Sequence, residues 1–448
     1  MRSSTTKFRS LGAGLLASIA VAGTMAAPAV FAADEQFIPI TIYRIGPYAA
    51  GGTGNMGGYM DYMEMLNKRD GGINGVKLVW EECETEYKND RGVECYERLK
   101  NKGPTGAAMF NPLSTGIAYA IIERATTDKI PVVTIGYGRV DASDGRVFPY
   151  VFPLITNYWS QSTSIIKFIG ARAGGMDKLK GKKIVHLYHG SAYGKEPIPI
   201  LDLQAKRYGF EVKHMEVTPP GTEQQSQWLE IRQYKPDWVT MTGWGAMNAV
   251  AIKTAAKVGY PVDHIVGNWW AGAEEDVIPA GDTAKGYISA NFHPNGTDFP
   301  VIKDIQKYVY AGGKGNMEDP KRIGTVYYNR GVIHGILNTE AIRIAQGKFG
   351  KKPLTGEQVR WGFENLKLDQ ARLKQLGALN LLQPMKLSCL DHEGGGAVKF
   401  QQWDGKQWKL VSDWIPSDQS LVRPMIEESA AKYAKEKGIT PRDCTKES

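Results

Sequence analysis

An α/β fold is expected, built from two doubly wound lobes whose parallel central sheets face each other across a ligand cleft and are joined by more than one crossover. Three observations predict it. Short apolar runs alternate with helical patterns, as strands covered on both faces by helices do. The alternation runs once, breaks at Phe148-Pro149-Tyr150-Val151-Phe152-Pro153-Leu154-Ile155-Thr156, and starts again. The 448 residues also exceed the roughly 250–300 at which a single core stops growing.

In the first lobe, Phe37–Ile45 reads as a strand and Asn55–Arg69 as a helix. Val76–Glu82 and Asp90–Asn101 follow as strand and helix, then Gly106–Asn111 and Thr115–Thr127, then strand Ile130–Ile135. After the proline-punctuated break come helix Tyr158–Ala173 and strand Lys183–Leu187, helix Pro197–Tyr208 and strand Phe210–Val217. Helix Gln225–Tyr234, strand Trp238–Met241, helix Ala246–Val258 and strands His264–Val266 and Gly286–Asn291 complete the second lobe. The last third is less regular. Asp304–Tyr310 and the long apolar Thr325–Gln346 are helical, Thr355 caps a helix to Leu366, Val398–Lys409 is a hairpin around Asp404-Gly405, and Ile426–Lys437 is a charged terminal helix. The long helix is expected to return to the first lobe. The expected division is a leader at 1–32, a first lobe at 37–153 with about 293–350, a second at 154–292 with about 351–420, and a terminal helix and tail at 421–448.

Arg2, Lys7 and Arg9 precede the apolar run Leu11 to Ala22, and Val30-Phe31-Ala32 places small residues for cleavage after Ala32. This is the pattern of an export signal, too short and too rich in Gly and Ala for a stable span. A periplasmic, monomeric protein is expected. The four cysteines then sit in an oxidising compartment, and Cys83–Cys95 with Cys389–Cys444 is the simplest of three pairings. The formal charge of +8 is diffuse, with no basic run interleaved with aromatics, so nucleic acid is not implied as a partner.

Candidates for catalysis are weak. Gly52-Thr53-Gly54-Asn55-Met56-Gly57 fits the dinucleotide fingerprint between a strand and a helix, with Glu81 and Glu82 ending the next strand. It starts several residues beyond its strand, however, and a chain with 51 glycines offers such spacings by chance. None of the seven histidines has zinc spacing, and His186-Leu187-Tyr188-His189 is most simply a strand end. Ser191 misses the nucleophile-elbow pattern. Glu81, Glu82 and Glu84 read as a solvated loop beside a disulfide.

What recurs is small polar and aromatic residues at strand ends. They are Asn111-Pro112-Leu113-Ser114-Thr115-Gly116 and Thr134-Ile135-Gly136-Tyr137-Gly138-Arg139 in the first lobe. The second lobe has Ser191-Ala192-Tyr193-Gly194, Thr242-Gly243-Trp244-Gly245 and Gly267-Asn268-Trp269-Trp270. Ligands of open α/β sheets bind beyond the carboxyl ends of the strands, so five such loops favour a ligand between the lobes.

Two of these stretches, Asn111-Pro112-Leu113-Ser114-Thr115-Gly116 and Ser191-Ala192-Tyr193-Gly194, with Ile45-Gly46-Pro47, Gly71-Gly72-Ile73-Asn74-Gly75-Val76-Lys77-Leu78 and Ile130-Pro131-Val132-Val133-Thr134, resemble the type I periplasmic binding proteins of the leucine/isoleucine/valine-binding family over most of Phe37 to Asn291. The resemblance implies a carrier without cofactor or catalysis, which closes two lobes on a small ligand and docks on the membrane permease of an ABC transporter. It implies that Ser114 and Thr115 offer a hydroxyl and backbone N–H groups to a ligand carboxylate. Gly136 and Gly138 would lie in a loop supplying a carbonyl and donors, Tyr193 would close over the ligand, and Trp244 would be the second-lobe aromatic.

Departures from the family pattern point to the ligand. Where amino-acid binders have an acid for the ligand ammonium, this chain has Trp269 or Trp270. An unpartnered buried ammonium costs several kcal/mol, so the ligand is expected to lack it. Gly138 replaces a family hydroxyl, and Arg139 offers a bidentate fork for the carboxylate instead. With Tyr137, Tyr193, Trp244 and one of the two adjacent tryptophans as walls, the expected ligand is a small hydrophobic, aromatic carboxylate. A branched-chain amino acid, with Glu274, Glu275 or Asp276 as the acid, is the alternative within the family. An exported nicotinamide-dependent oxidoreductase is the alternative from another class. Pro47 to Thr53 is expected to form the first-lobe rim, where Gly51 leaves room for a bulkier ligand.

Overall fold

The computed structural model describes residues 34–446, so the export signal and its cleavage after Ala32 lie outside the described residues. In the first lobe, β1 (Glu35–Ile42) and β2 (Lys77–Glu84) pair in parallel, as do β3 (Val132–Ile135) and β4 (Val151–Leu154). The segment expected as strand Gly106–Asn111 joins the two pairs by single bonds. Ala108 N–H donates to Phe37 O, Phe110 N–H to Pro131 O, and Val133 N–H to Phe110 O. It makes one bridge and no ladder. β4 lies inside the stretch read from sequence as a break, because an edge strand tolerates Pro153 within it, and Pro149 lies before it.

Helices α1 (Ala49–Asp70), α2 (Asn89–Leu99) and α3 (Thr115–Asp128) cover this lobe, and α4 (Tyr158–Ala173) opens the second. There the strands are β5 (Lys183–His189), β6 (Glu211–Val217), β7 (Trp238–Thr242), β8 (Ile265–Gly267) and β9 (Ile288–Asn291). The helices are α5 (Ala192–Lys195), α6 (Ile198–Tyr208), α7 (Gln225–Tyr234), α8 (Ala246–Lys257) and α9 (Glu274–Val277). The last third adds α10 (Pro300–Ile305), α11 (Val326–Phe349), α12 (Gly356–Glu364), α13 (Gln370–Gln375) and the short pair β10 (Lys367–Leu368) and β11 (Met385–Lys386). The hairpin β12 (Lys399–Trp403) and β13 (Trp408–Leu410) and helix α14 (Gln419–Lys437) close the chain. The hairpin joins the second sheet antiparallel at β9, giving the order β13-β12-β9-β8-β7-β5-β6.

Helix α1 corrects the sequence reading most. It starts at Ala49, so the six residues Gly52 to Gly57 are helical and form no phosphate loop. Its glycines bring backbones together. A Cβ on Gly58 would lie 2.2 Å from Tyr328 O, and one on Gly331 would lie 1.8 Å from Asn55 O, so α1 and α11 touch along bare backbone. Glycine costs a helix about 1 kcal/mol against alanine, and packing offsets it here. Segment 351–366, expected in the second lobe, packs on the first. Gln36 exchanges two hydrogen bonds with Leu354, and Phe363 stacks on Phe152.

Three crossovers run side by side at Ile155, Phe292 and Gly396. Gly396 N–H donates to Ile155 O at 2.8 Å, and all three residues line one hollow. Ile155 holds φ +75°, unusual for a β-branched residue. Both expected disulfides are present, Cys83–Cys95 within the first lobe and Cys389–Cys444 tying the tail to it.

Candidate functional site

The carboxyl ends of the strands of both lobes converge on a partly open cavity of about 240 Å³, the space at its mouth included. From the first lobe, Tyr43 follows β1, Tyr87 follows β2, Leu113 to Thr115 lead into α3, and Tyr137 follows β3. From the second, Tyr158 begins α4, Tyr193 follows β5, Trp244 follows β7 and Trp270 follows β8. Seven of the ten lining residues are aromatic and none is charged. The rings meet mainly at steep angles: Trp244 stands at 87° to Trp270 and 85° to Tyr43, and Tyr137 at 74° to Trp270.

One end of this wall is polar. Ser114 caps α3, its hydroxyl accepting from Ile117 N–H at 3.4 Å. The first turn of an α-helix leaves backbone donors without intrahelical acceptors and carries partial positive charge. This end is held from behind: Asn111 Oδ1 bonds His334 Nε2 at 2.7 Å and accepts from Asn338 Nδ2 at 2.9 Å, both on α11. Leu113 and Tyr87 both hold positive φ, +48° and +61°, so the backbone is bent locally to aim this loop. Tyr43 donates to Leu113 O, and Tyr137 accepts from Leu113 N–H at 2.7 Å. Burial raises the pKa values of Tyr43, Tyr137, Tyr158 and Tyr193, which keeps their hydroxyls neutral. Two buried polar groups of the wall, Trp244 Nε1–H and the Tyr158 hydroxyl, have no hydrogen-bond partner.

Of the expected site residues, Ser114, Thr115, Tyr137, Tyr193, Trp244 and Trp270 are brought together at the cavity. Gly136 and Gly138 lie one layer behind. Gly136 O accepts from both Trp269 Nε1 (2.6 Å) and Trp270 Nε1 (2.8 Å), and Gly138 N–H donates to Thr115 Oγ1. Trp269 is fully buried outside the cavity, stacked on Tyr158, because its neighbour Trp270 takes the cleft-facing place. Arg139 is not at the cavity. Its fork grips Asp141, and its guanidinium lies over Tyr433 and Phe148. Tyr43, Tyr87, Leu113 and Tyr158 were missed. The first two follow strands by the same carboxyl-end rule, and Tyr158 follows the overlooked β4.

The alternative acids for an ammonium are engaged elsewhere. Asp276 accepts from Asn248, Ala273 N–H and Tyr327, and burial pushes its pKa up to about 7. Glu274 accepts from Asn295 and Val326 N–H, and Glu275 pairs with Arg322. Near β2, Glu81 pairs with Arg98 and Lys102, and Glu82 with Arg44, at the half-exposed surface. Among the described residues, no group of three His, Cys, Asp or Glu is placed to hold a metal ion.

The lobes bond directly across the cleft. Tyr48 OH meets His189 Nε2 at 2.8 Å, Ala246 N–H donates to Pro47 O, and Val140 N–H donates to Glu196. Arg322 bonds Glu275, Thr53 and the carbonyl of Ala50.

A family model described as a periplasmic binding protein matches residues 35–407. A solved structure described as an ABC transporter permease from the Pseudomonas fluorescens group is 51% identical, covers 92% of this chain and 100% of its own, and superposes with a TM-score of 0.86. A branched-chain amino acid ABC transporter from Thermus thermophilus with bound valine is 19% identical, with 87% and 98% covered and a TM-score of 0.72. An ABC transporter solute-binding protein from R. palustris in complex with benzoate is 19% identical, with 86% and 97% covered and a TM-score of 0.67. No match was found among curated protein sequences.

Proposed function

The chain belongs to the periplasmic binding protein family, and from that premise we propose that it is the exported solute-binding component of an ABC uptake transporter, which closes on a small hydrophobic, aromatic carboxylate lacking an α-amino group and delivers it to a membrane permease. The observation that carries the ligand class is the wall itself: seven aromatic residues, the amino end of α3, and no acid. An anion gains from the helix end, on the order of 0.3–2 kcal/mol, and from buried hydroxyl and amide donors. An ammonium would be buried without a partner, at a cost of several kcal/mol. The cavity is small, about 240 Å³ with the space at its mouth included, which suits a compact acid better than a long acyl chain. Among the relatives, the benzoate-bound structure fits this chemistry better than the valine-bound one. Among the described residues, no helix is long and apolar enough to cross a membrane.

The test is a thermal-shift screen of aromatic acids, aliphatic acids and amino acids, since a ligand that binds the native state raises the melting temperature with its concentration. Aromatic acids should give the largest shifts. Shifts from leucine-like amino acids alone would overturn the ligand class, and nicotinamide cofactor copurifying with the protein would overturn the transport reading.

A further inference from the structure

In the second turn of α11, Arg330 is completely buried. Its donors reach no carboxylate. Nη1 donates to Trp269 O at 2.8 Å, Nη2 to Asn291 Oδ1 at 3.1 Å, and Nε to His293 Nε2 at 3.1 Å. The guanidinium carbon lies 4.5 Å from the centroid of the Trp270 ring and 4.7 Å from that of Phe292, with Tyr327 at 5.8 Å. Trp270 is a wall of the cavity, so a single ring separates this cation from the ligand space.

We infer that Arg330 is the charge-selecting residue of the site: its guanidinium, placed behind Trp270 and paired with no acid, supplies the positive field that retains an anionic ligand and disfavours neutral or cationic molecules of the same shape. This rests on the reading of the ligand as a carboxylate. The physical grounds are burial and geometry. A charge withdrawn from water acts over a longer range than one at the surface, because little solvent screens it. Burial lowers its pKa to about 10, which leaves it cationic at neutral pH. The cavity residues Tyr158 and Tyr193 lie within its electrostatic reach. The opposing group is Asp276, which acts on Arg330 through space while its own oxygens accept from Asn248, Ala273 N–H and Tyr327. His293 contacts the guanidinium and is held neutral, its pKa lowered by burial and by Arg330. The cleft edge is thus polarised positive from two sides, by the amino end of α3 in one wall and by Arg330 behind another.

A purely structural Arg330 would hold the Trp269 carbonyl and the loop around it, and its loss would weaken every ligand alike. A charge-selecting Arg330 changes only the discrimination between an acid and its uncharged isostere. The experiment is therefore calorimetric titration of benzoate and benzamide into the wild type, Arg330→Met, Arg330→Lys and Asp276→Asn. In the wild type, benzoate should bind more tightly. In Arg330→Met, benzoate affinity should fall by about tenfold or more, with benzamide affinity little changed. Arg330→Lys should keep the preference, and Asp276→Asn, measured at pH 8 or above where Asp276 is mostly ionised, removes the opposing charge and should widen it. An unchanged benzoate-to-benzamide ratio in folded Arg330→Met overturns the inference. Should that variant fail to fold, an unchanged ratio in Asp276→Asn overturns it equally. A wild type that binds neither probe, or both equally, overturns the carboxylate reading and this inference with it, which separates that failure from one confined to Arg330.

Discussion

The six-membered ring of Trp244, from the second lobe, occupies the space that a side chain on Gly51 of the first lobe would fill: a Cβ at residue 51 would lie 2.2 Å from Trp244 Cη2 and 2.7 Å from Cζ2. The missing side chain therefore does not enlarge the ligand space, as sequence reasoning supposed. It admits a tryptophan from across the cleft, and closure and pocket shape become one contact.

Gly51→Ala should therefore act on closure. Within α1 the substitution favours helix by about 1 kcal/mol, so the ligand-free protein should melt no lower than the wild type. In the closed form the methyl group collides with a rigid ring, and overpacking of this kind costs about 1–3 kcal/mol. Calorimetry should show ligand affinity reduced about tenfold or more beside an unchanged ligand-free melting temperature.

Trp244→Phe removes the unpartnered Nε1–H while keeping an aromatic ring. If that donor meets the ligand, affinity should fall by about 1.5–3 kcal/mol, the range of one hydrogen bond to a charged acceptor. The ligand-free protein should lose less, because the deleted donor had no protein partner. Comparing melting temperatures with and without ligand separates the two effects.

Closure should depend on pH through Glu196. Its carboxylate accepts from Val140 N–H and the Tyr119 hydroxyl of the opposite lobe, and desolvation in the closed form pushes its pKa up to about 7. A carboxyl with a raised pKa holds its proton better in the closed form, so closure is favoured at low pH and loses that advantage as pH rises through 7. Burial lowers the His189 pKa to about 4, which opposes closure only below the ordinary histidine range near 6.5. Between pH 6.5 and 8, ligand affinity should thus fall, with Glu196 contributing about fourfold. Glu196→Gln should remove that part of the slope.

Replacing Cys389 and Cys444 together by serine should destabilise without touching the site. The bridge spans 55 residues, and the loop-entropy model assigns such a closure about 4 kcal/mol. Chemical denaturation should show the loss, while affinity in native buffer stays within about twofold of the wild type, since neither cysteine lies at the cavity.

Much of the fold was legible because it rests on local period. The ranges for α4 and α7 match from end to end, and the strands of the second lobe match to within about three residues. The start of α1 was not legible, since Ala-Gly-Gly-Thr-Gly reads as loop until the partner helix that needs those glycines is known. β4 was hidden by Pro149 before it and by Pro153 within it, which an edge position tolerates. In the site, the carboxyl-end rule located Ser114, Thr115, Tyr137, Tyr193, Trp244 and Trp270. It could not distinguish Trp270 from Trp269, nor show that Arg139 is held by a neighbouring aspartate two residues away. Arg330 gave no sequence signal, because its place behind Trp270 depends on how α11 docks between the lobes.

The ligand class can be tested most directly by calorimetry with two matched pairs, 3-phenylpropanoate with phenylalanine and 4-methylpentanoate with leucine. Members of a pair share a skeleton and differ in the α-amino group. With no acid in the cavity wall, the plain acid should bind at least about a hundredfold more tightly in each pair, and the aromatic acid more tightly than the aliphatic one. Tighter binding of the amino acid in both pairs would contradict a cavity built for a carboxylate without an ammonium.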